Sequence, residues 1–352
     1  MSLVVDPEGV APSATAAVPS VDAVPGSQVV PWRHRHLLDV AGLSTADIDL
    51  VLRTTDAMRE VLTRPIAKVP ALRGRQVTIL FYEASTRTRV SFEVAAKNLS
   101  ADVVNIAVAS SSVSKGESLV DTVRTVEALG AQMLVMRHAV SGAPYLAAEI
   151  FGGSVLNGGD GWHAHPSQAL LDLYTMRERL PGGSLAGRKV VILGDLLHSR
   201  VARSNIWTLT AAGADLWLCG PPTLVRGFEE WAGRSAAAGR RFQVTTSVDE
   251  ALRDADVVMA LRIQRERMVA GLLPSMREYA ARYGLTRERL ALAHPGAVVM
   301  HPGPMNEGVE IAADVAAGAQ SAITDQVTNG VAVRMALLYL LAGTHPAGTG
   351  AA

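Results

Sequence analysis

The sequence predicts two doubly wound α/β domains, each built on a parallel sheet and linked by helices. Three observations carry this. Short apolar runs alternate with segments of helical period, the mark of parallel strands joined by crossover helices. At 352 residues the chain is long enough for two domains of ordinary size, each with its own core. Clusters of polar residues follow the ends of the apolar runs, where open α/β sheets bind their ligands.

In the first half the runs are Val77–Tyr82, Val103–Val108, Met133–Met136 and Ser154–Leu156. Helical spacing fills the intervals over Thr86–Leu99, Ser118–Leu129 and Pro144–Phe151, and Gln168–Leu180 reads as a long helix stopped by Pro181-Gly182-Gly183. The second half repeats the alternation: Lys189–Leu193, Ala214–Cys219, Val257–Leu261 and Ala297–Met300 read as strands, Arg200–Ala211 and Thr223–Ala232 as helices. The expected division is a disordered tail over 1–32, a first domain over 33–181, a second over 182–326 and a loose end over 343–352. A last helix over 327–342 is expected to pack back on the first domain.

Lys and Arg together number 33, as do Asp and Glu, so the net charge is zero. That balance argues against a general nucleic-acid or anionic-membrane binder, while leaving room for a local anion site. Cys219 is the single cysteine, which excludes an intrachain disulfide and a cysteine-rich zinc module and fits a reducing cytoplasm. No apolar run approaches the roughly 20 residues of a membrane span. Residues 1–31, rich in Ala, Val, Pro and Ser, are broken by Asp6, Glu8 and repeated prolines, so no signal peptide is expected there.

Polar clusters fall after strand ends at 83–89, 110–115, 137–138, 195–200, 262–267 and 301–307. The first is the most informative. Ser85-Thr86-Arg87-Thr88-Arg89 follows a strand and opens a helix, where unpaired N–H groups and the helix dipole favour an anion. Ser85, Thr86 and Thr88 add hydroxyls, and Arg87 adds a fork matched to phosphate oxygens; Arg89 fits a structural role as well as an anion contact. The pattern alone fits an ordinary Ser N-cap with solvated arginines equally well.

The wider string decides between them. Phe81–Glu93 (FYEASTRTRVSFE) resembles the carbamoyl-phosphate signature of the aspartate and ornithine carbamoyltransferases. Ser111–Ser118 resembles that family's mobile loop, and Val135–His138 and His165–Asp172 resemble its carbonyl-binding elements. Arg262–Arg267 and His301–Pro304 resemble its second-substrate elements, all in order over roughly 33–342. Ornithine enzymes carry His-Cys-Leu-Pro where this chain has His301-Pro302-Gly303-Pro304, and a Ser-Met-Gly loop where it has Arg262-Ile263-Gln264. Extra arginines suit a dicarboxylate, so aspartate is the expected acceptor. Ornithine, an acylated ornithine, and a silent scaffold partner of another pyrimidine enzyme are the alternatives.

The resemblance implies that Ser85, Thr86, Arg87 and Thr88 hold phosphate, with Arg137 touching it too. Arg137, His165 and Thr88 would polarise the carbonyl oxygen. Gln168 and the backbone at Pro302 and Gly303 would receive the amide hydrogens. Arg200 and Arg262 would bind aspartate, with Gln264 orienting its amine. Glu83, Arg200 and Arg267 match positions that pair across the domains on closure, although an ordinary surface ion pair fits them as well. Ser111 and Lys115 would reach a neighbour's site, which implies a homotrimer, alone or with regulatory chains or dihydroorotase. No cofactor and no metal is implied: His163 beside His165 invites a zinc reading, but further ligands are missing. A dinucleotide loop after Gly194 lacks the glycine pattern.

Overall fold

The computed structural model describes residues 31–107, 116–237, 239, 241–268 and 271–344, with only the backbone at 235–237. Nine strands form two sheets, all of whose pairings are parallel. The first contains β1 (Gln76–Phe81), β2 (Asp102–Ala107), β3 (Met133–His138) and β4 (Ser154–Asp160) in the order β2-β1-β3-β4. The second contains β5 (Lys189–Leu193), β6 (Asp215–Cys219), β7 (Phe242–Thr245), β8 (Val257–Ala260) and β9 (Val298–Met300) in the order β7-β6-β5-β8-β9.

The runs of β1, β3, β5 and β8 are continuous because both faces of those strands are covered, whereas β2, at the edge of its sheet, leaves Val104 and Asn105 exposed. Alternation sends Val77 and Ile79 to one core and Leu80 to another, and likewise Val190 and Ile192 apart from Val191 and Leu193. The largest core cluster takes one face of each sheet together with the C-terminal helix Ile323–Gly343. Each half has an apolar cluster of its own, and the largest cluster runs through both.

Six helices matter for the site: α1 (Thr45–Thr63), α2 (Thr86–Asn98), α3 (Leu119–Ala128), α4 (Ala143–Ile150), α5 (Pro166–Arg179) and α6 (Arg200–Ala211). The helix α1, absent from the sequence reading, opens on a capping box: Asp47 N donates to Ser44 Oγ at 3.1 Å and Ser44 N to Asp47 Oδ2 at 2.9 Å. Buried without a break from Pro166 to Met176, α5 packs against α1, α6 and the C-terminal helix. It is the beam between the two sheets.

The strand readings hold to within a few residues at their ends. One helix does not: the segment read as Thr223–Ala232 breaks into Pro222–Val225 and Glu229–Ala237, because Gly227 takes a left-handed φ of 90° between them. The strand β7 also escaped the reading, since Phe242-Gln243-Val244-Thr245 offers a single fully buried residue as signal. The last helix begins at Ile323, a turn earlier than expected. Ser111, Lys115, the tail 1–30 and residues 345–352 lie outside the described residues. Among the described residues no helix is long and apolar enough to cross a membrane.

Candidate active site

Chain order reverses at β1/β3 in one sheet and β5/β8 in the other, and a crevice opens at the carboxyl ends of those strands. A single cleft of about 640 Å³ joins the two crevices. Six arginines line it (Arg87, Arg137, Arg200, Arg262, Arg267, Arg334) against two glutamates, Glu83 and Glu266, so the cavity is built for anions. The N-cap residues of α2, α5 and α6, which are Ser85, His165 and Ser199, line it as well. Neither Ser85 nor His165 spends its side chain on the cap, which leaves those helix starts available to a ligand.

Both glutamates are already engaged. Glu83, from the loop after β1, accepts Arg200 Nη2 at 2.7 Å and Arg267 Nη2 at 2.6 Å, and Arg137 Nε lies 3.3 Å from Oε2. Burial pushes its carboxyl up, but Arg137, Arg200 and Arg267 outweigh that and hold it below its usual range. Arg200 Nη1 and Arg267 Nη1 both donate to the Gly161 carbonyl at 3.1 Å. Gly159, with φ of 115°, makes room for the convergence: a Cβ there would stand 3.0 Å from Arg137 Nη1 and from Arg200 Nε. Glu266 pairs with Arg262 one turn away.

Arg87 is different. Among the described residues it has no carboxylate partner. Burial, and after it the like charge of Arg262, pushes its guanidinium below the ordinary arginine value. An anion beside Arg87 relieves that repulsion. Arg137 is pushed down to about 9 by burial and by Arg200, against the pull of Glu83, yet it stays cationic at neutral pH. Its Nη1 donates to the Gly158 carbonyl at 3.1 Å.

His165 is buried, its backbone N donating to Ser204 Oγ at 2.9 Å while Nδ1 has no partner. Burial, then Arg137, Arg200 and Arg334, hold its imidazole well below the usual value, so it is neutral. Gln264 is oriented from behind: Nε2 donates to the His198 carbonyl at 3.1 Å and its backbone N to Asp195 Oδ2 at 3.2 Å. The loop His301–Pro304 closes the far wall, with Gly303 N donating to His301 Nδ1 at 2.8 Å. His163, read as a possible metal ligand, pairs with Asp160 at 3.1 Å and Asp39 at 3.3 Å.

Ser85, Thr86, Arg87, Thr88, Arg137, His165, Gln168, Arg200, Arg262, Gln264, Arg267, Pro302, Gly303 and Glu83 thus share one cleft. Ser111 and Lys115 lie outside the described residues. Four residues on or behind the wall received no role from the sequence: Ser91 and Asp172, inside the quoted strings, and Gln326 and Arg334, outside them. Arg334 donates to Ser91 Oγ at 2.9 Å and is fully packed against Phe92. A lone arginine in the apolar run before Met335, and a lone aspartate after Ala169-Leu170-Leu171, were the available signals.

The model of the aspartate/ornithine carbamoyltransferase carbamoyl-P binding domain matches residues 35–178, and that of the Asp/Orn binding domain matches 186–341. The chain belongs to the aspartate/ornithine carbamoyltransferase family. Within it, the aspartate carbamoyltransferase catalytic subunit of Roseiflexus sp. is 59% identical over 311 residues, which span 88% of this chain and 96% of that one. The corresponding subunit of Chloroflexus aurantiacus is 58% identical over 309 residues, 88% and 98% of the two chains. Among solved carbamoyltransferases, aspartate transcarbamoylase from Trypanosoma cruzi in complex with carbamoyl phosphate and aspartate superposes with a TM-score of 0.78 at 31% identity, over 88% of this chain and 95% of that one. Ornithine carbamoyltransferase from Pyrococcus furiosus gives 0.79 at 26% identity, over 90% and 100%. The two carbamoyltransferase activities share this fold, so the acceptor is decided by side chains in the cleft.

Proposed function

We propose that the cleft transfers the carbamoyl group of carbamoyl phosphate to L-aspartate, giving N-carbamoyl-L-aspartate and phosphate, an early step of pyrimidine biosynthesis. The observation that carries this is the uncompensated Arg87 at the start of α2, facing Arg262 across an arginine-rich cleft. Aspartate as acceptor is favoured by Arg262, by the absence of the ornithine-type His-Cys-Leu-Pro and Ser-Met-Gly elements, and by the names of the most similar relatives.

In this reading Ser85, Thr86, Arg87 and Thr88 hold the phosphate at the helix start. The deprotonated α-amine attacks the carbonyl carbon; a C–N bond forms, the C–O bond to phosphate breaks, and the proton lost by the amine leaves on the departing phosphate. Arg137, His165 and Thr88 donate to the carbonyl oxygen as it gains charge. Because His165 is neutral, it acts as a dipolar donor beside the cations Arg137, Arg200 and Arg334 rather than as an acid. Gln168 and the backbone of Pro302 and Gly303 receive the carbamoyl amide. Gln264, its Nε2 tied back, presents Oε1 to the amine. Arg200 and Arg262 take the carboxylates; each Nη of Arg200 keeps a second hydrogen after serving Gly161 and Glu83. Glu83 and Arg267 clamp the halves together, which excludes water.

The domains divide the work: 33–181 takes carbamoyl phosphate, with the last helix packed against it, and 182–326 takes aspartate, a division supported by the two matching family models. Ser111 and Lys115 act from a neighbouring chain in a homotrimer, and the protein works in the cytoplasm. Larger assemblies with regulatory chains or dihydroorotase are compatible with this reading. The test is production of N-carbamoyl-aspartate by the purified chain and its near loss in Arg87→Ala. Brisk turnover by that variant, or turnover with ornithine but none with aspartate, refutes it.

A further inference from the structure

Behind Gln168 lies a buried carboxylate that no substrate reaches. Asp172, one turn along α5, is fully enclosed and accepts three amide N–H groups from three helices. Gln168 Nε2 donates to Oδ1 at 2.8 Å, Gln326 Nε2 to Oδ1 at 2.7 Å and Asn205 Nδ2 to Oδ2 at 2.8 Å. Burial pushes Asp172 up to about 6 against the pull of its three amide donors and of Arg334, which leaves it ionised at neutral pH.

An ionised carboxylate offers only acceptors, so each of the three amides must turn its nitrogen inward. The other contacts agree. Gln326 Oε1 accepts His301 N at 2.9 Å, as only an oxygen can, and Asn205 Nδ2 gives its second hydrogen to the Val201 carbonyl at 3.1 Å. For Gln168, which lines the cleft, the consequence is chemical: with one Nε2 hydrogen bonded to Asp172, Oε1 is turned away from that carboxylate and is the acceptor left for a ligand.

We propose that Asp172 is a positioning residue for substrate selection: acting through Gln168, it keeps an acceptor facing the acyl end of the bound acyl phosphate. The site then recognises the N–H of a carbamoyl group and discriminates against an acetyl or carboxyl group of the same size. This rests on the reading of the cleft as a carbamoyl-phosphate site. Through Gln326 the same carboxylate supports His301, whose Nδ1 accepts Gly303 N, so both walls of the amide pocket depend on it.

The test compares binding of three probes to the full chain and to Asp172→Leu, which keeps the outline of the carboxylate without its acceptors. Phosphonoacetamide carries the N–H groups, acetonylphosphonate has a methyl in their place, and inorganic phosphate has neither. The unaltered chain is expected to prefer the amide over the methyl ketone by about tenfold or more, since a site built to hydrogen-bond a ligand N–H rejects its isostere. In Asp172→Leu the preference should fall below about threefold while acetonylphosphonate and phosphate bind within about threefold of before. A retained preference, or equal weakening of all three probes, overturns the proposal. If the unaltered chain itself shows no preference, it is the carbamoyl reading that fails. Should that variant not fold, Asp172→Asn decides: its amide can meet Gln168 with an N–H as well as an oxygen, so the preference for the amide over the methyl ketone should fall at least about threefold, and an unchanged preference overturns the proposal.

Discussion

Arg200 and Glu83, 117 positions apart in sequence, meet at 2.7 Å, and the bond ties the loop after β1 to the start of α6. The Arg200 side chain is 6% exposed and that of Glu83 26%, so the pair is no solvated surface bridge. It is the centre of a cluster in which one carboxylate is shared by three guanidinium groups, Arg137 from β3, Arg200 from the start of α6 and Arg267 from the segment after β8.

Glu83→Gln therefore leaves Arg137, Arg200 and Arg267 mutually repelling across the cleft. Turnover should fall by roughly 100-fold, about 2.7 kcal/mol in the transition state, with a smaller change in thermal stability. Steady-state kinetics checks the first and a melting curve the second. Activity within about threefold of the unaltered chain would show that the clamp is dispensable.

Gly303 lies against Arg87. Its φ is 65°, and a Cβ there would stand 2.8 Å from Arg87 Cζ and 2.9 Å from Nη2. If Arg87 holds the phosphate as proposed, Gly303→Ala should displace its guanidinium and raise the KM for carbamoyl phosphate by about tenfold or more. Phosphate inhibition, measured alongside, should weaken in parallel; an unchanged inhibition constant would separate the loop from the phosphate subsite.

His163 links folding to pH. Hydrogen bonds that it donates to Asp160 and Asp39 raise its imidazole to about 10, above the unfolded value near 6.5. A raised folded value means stabilisation fully present below pH 6.5 and lost as pH rises towards 10. Melting temperature should decline over that window, and His163→Gln should flatten the decline. An unchanged slope in the variant would place the alkaline loss elsewhere.

Lys115 and Arg87 test the shared site. If each site joins Arg87 of one chain to Lys115 of its neighbour, Arg87→Ala and Lys115→Ala are each inactive, but random mixed trimers regain about a quarter of intact sites. Mixing after reversible dissociation, followed by an activity assay, reads this directly. No recovery on mixing would put both residues in the same chain's site.

Much of the architecture was legible because both faces of each sheet are covered. A strand such as Lys189-Val190-Val191-Ile192-Leu193 then has to be apolar throughout, and its ends are marked by glycine and aspartate. Where burial is one-sided or brief, as in β7, the signal fades. Helix breaks set by one left-handed glycine, as at Gly227, were equally invisible.

The residues proposed to touch ligand were readable for a related reason: an anion site needs particular groups at a helix start, and Ser85–Arg89 supplies them in consecutive order. That order gave the ligand's charge, and the flanking strings pointed to its class. Tertiary structure alone decided how the groups are held. Asp172, Gln326 and Arg334 work from behind the wall, and their partners Gln168, His301 and Ser91 lie between 4 and 243 positions away. Local sequence specifies which side chain a position offers. Which carboxylate neutralises it, and which end of an amide faces the substrate, is set by contacts that exist only once α5, α6 and the last helix have packed together.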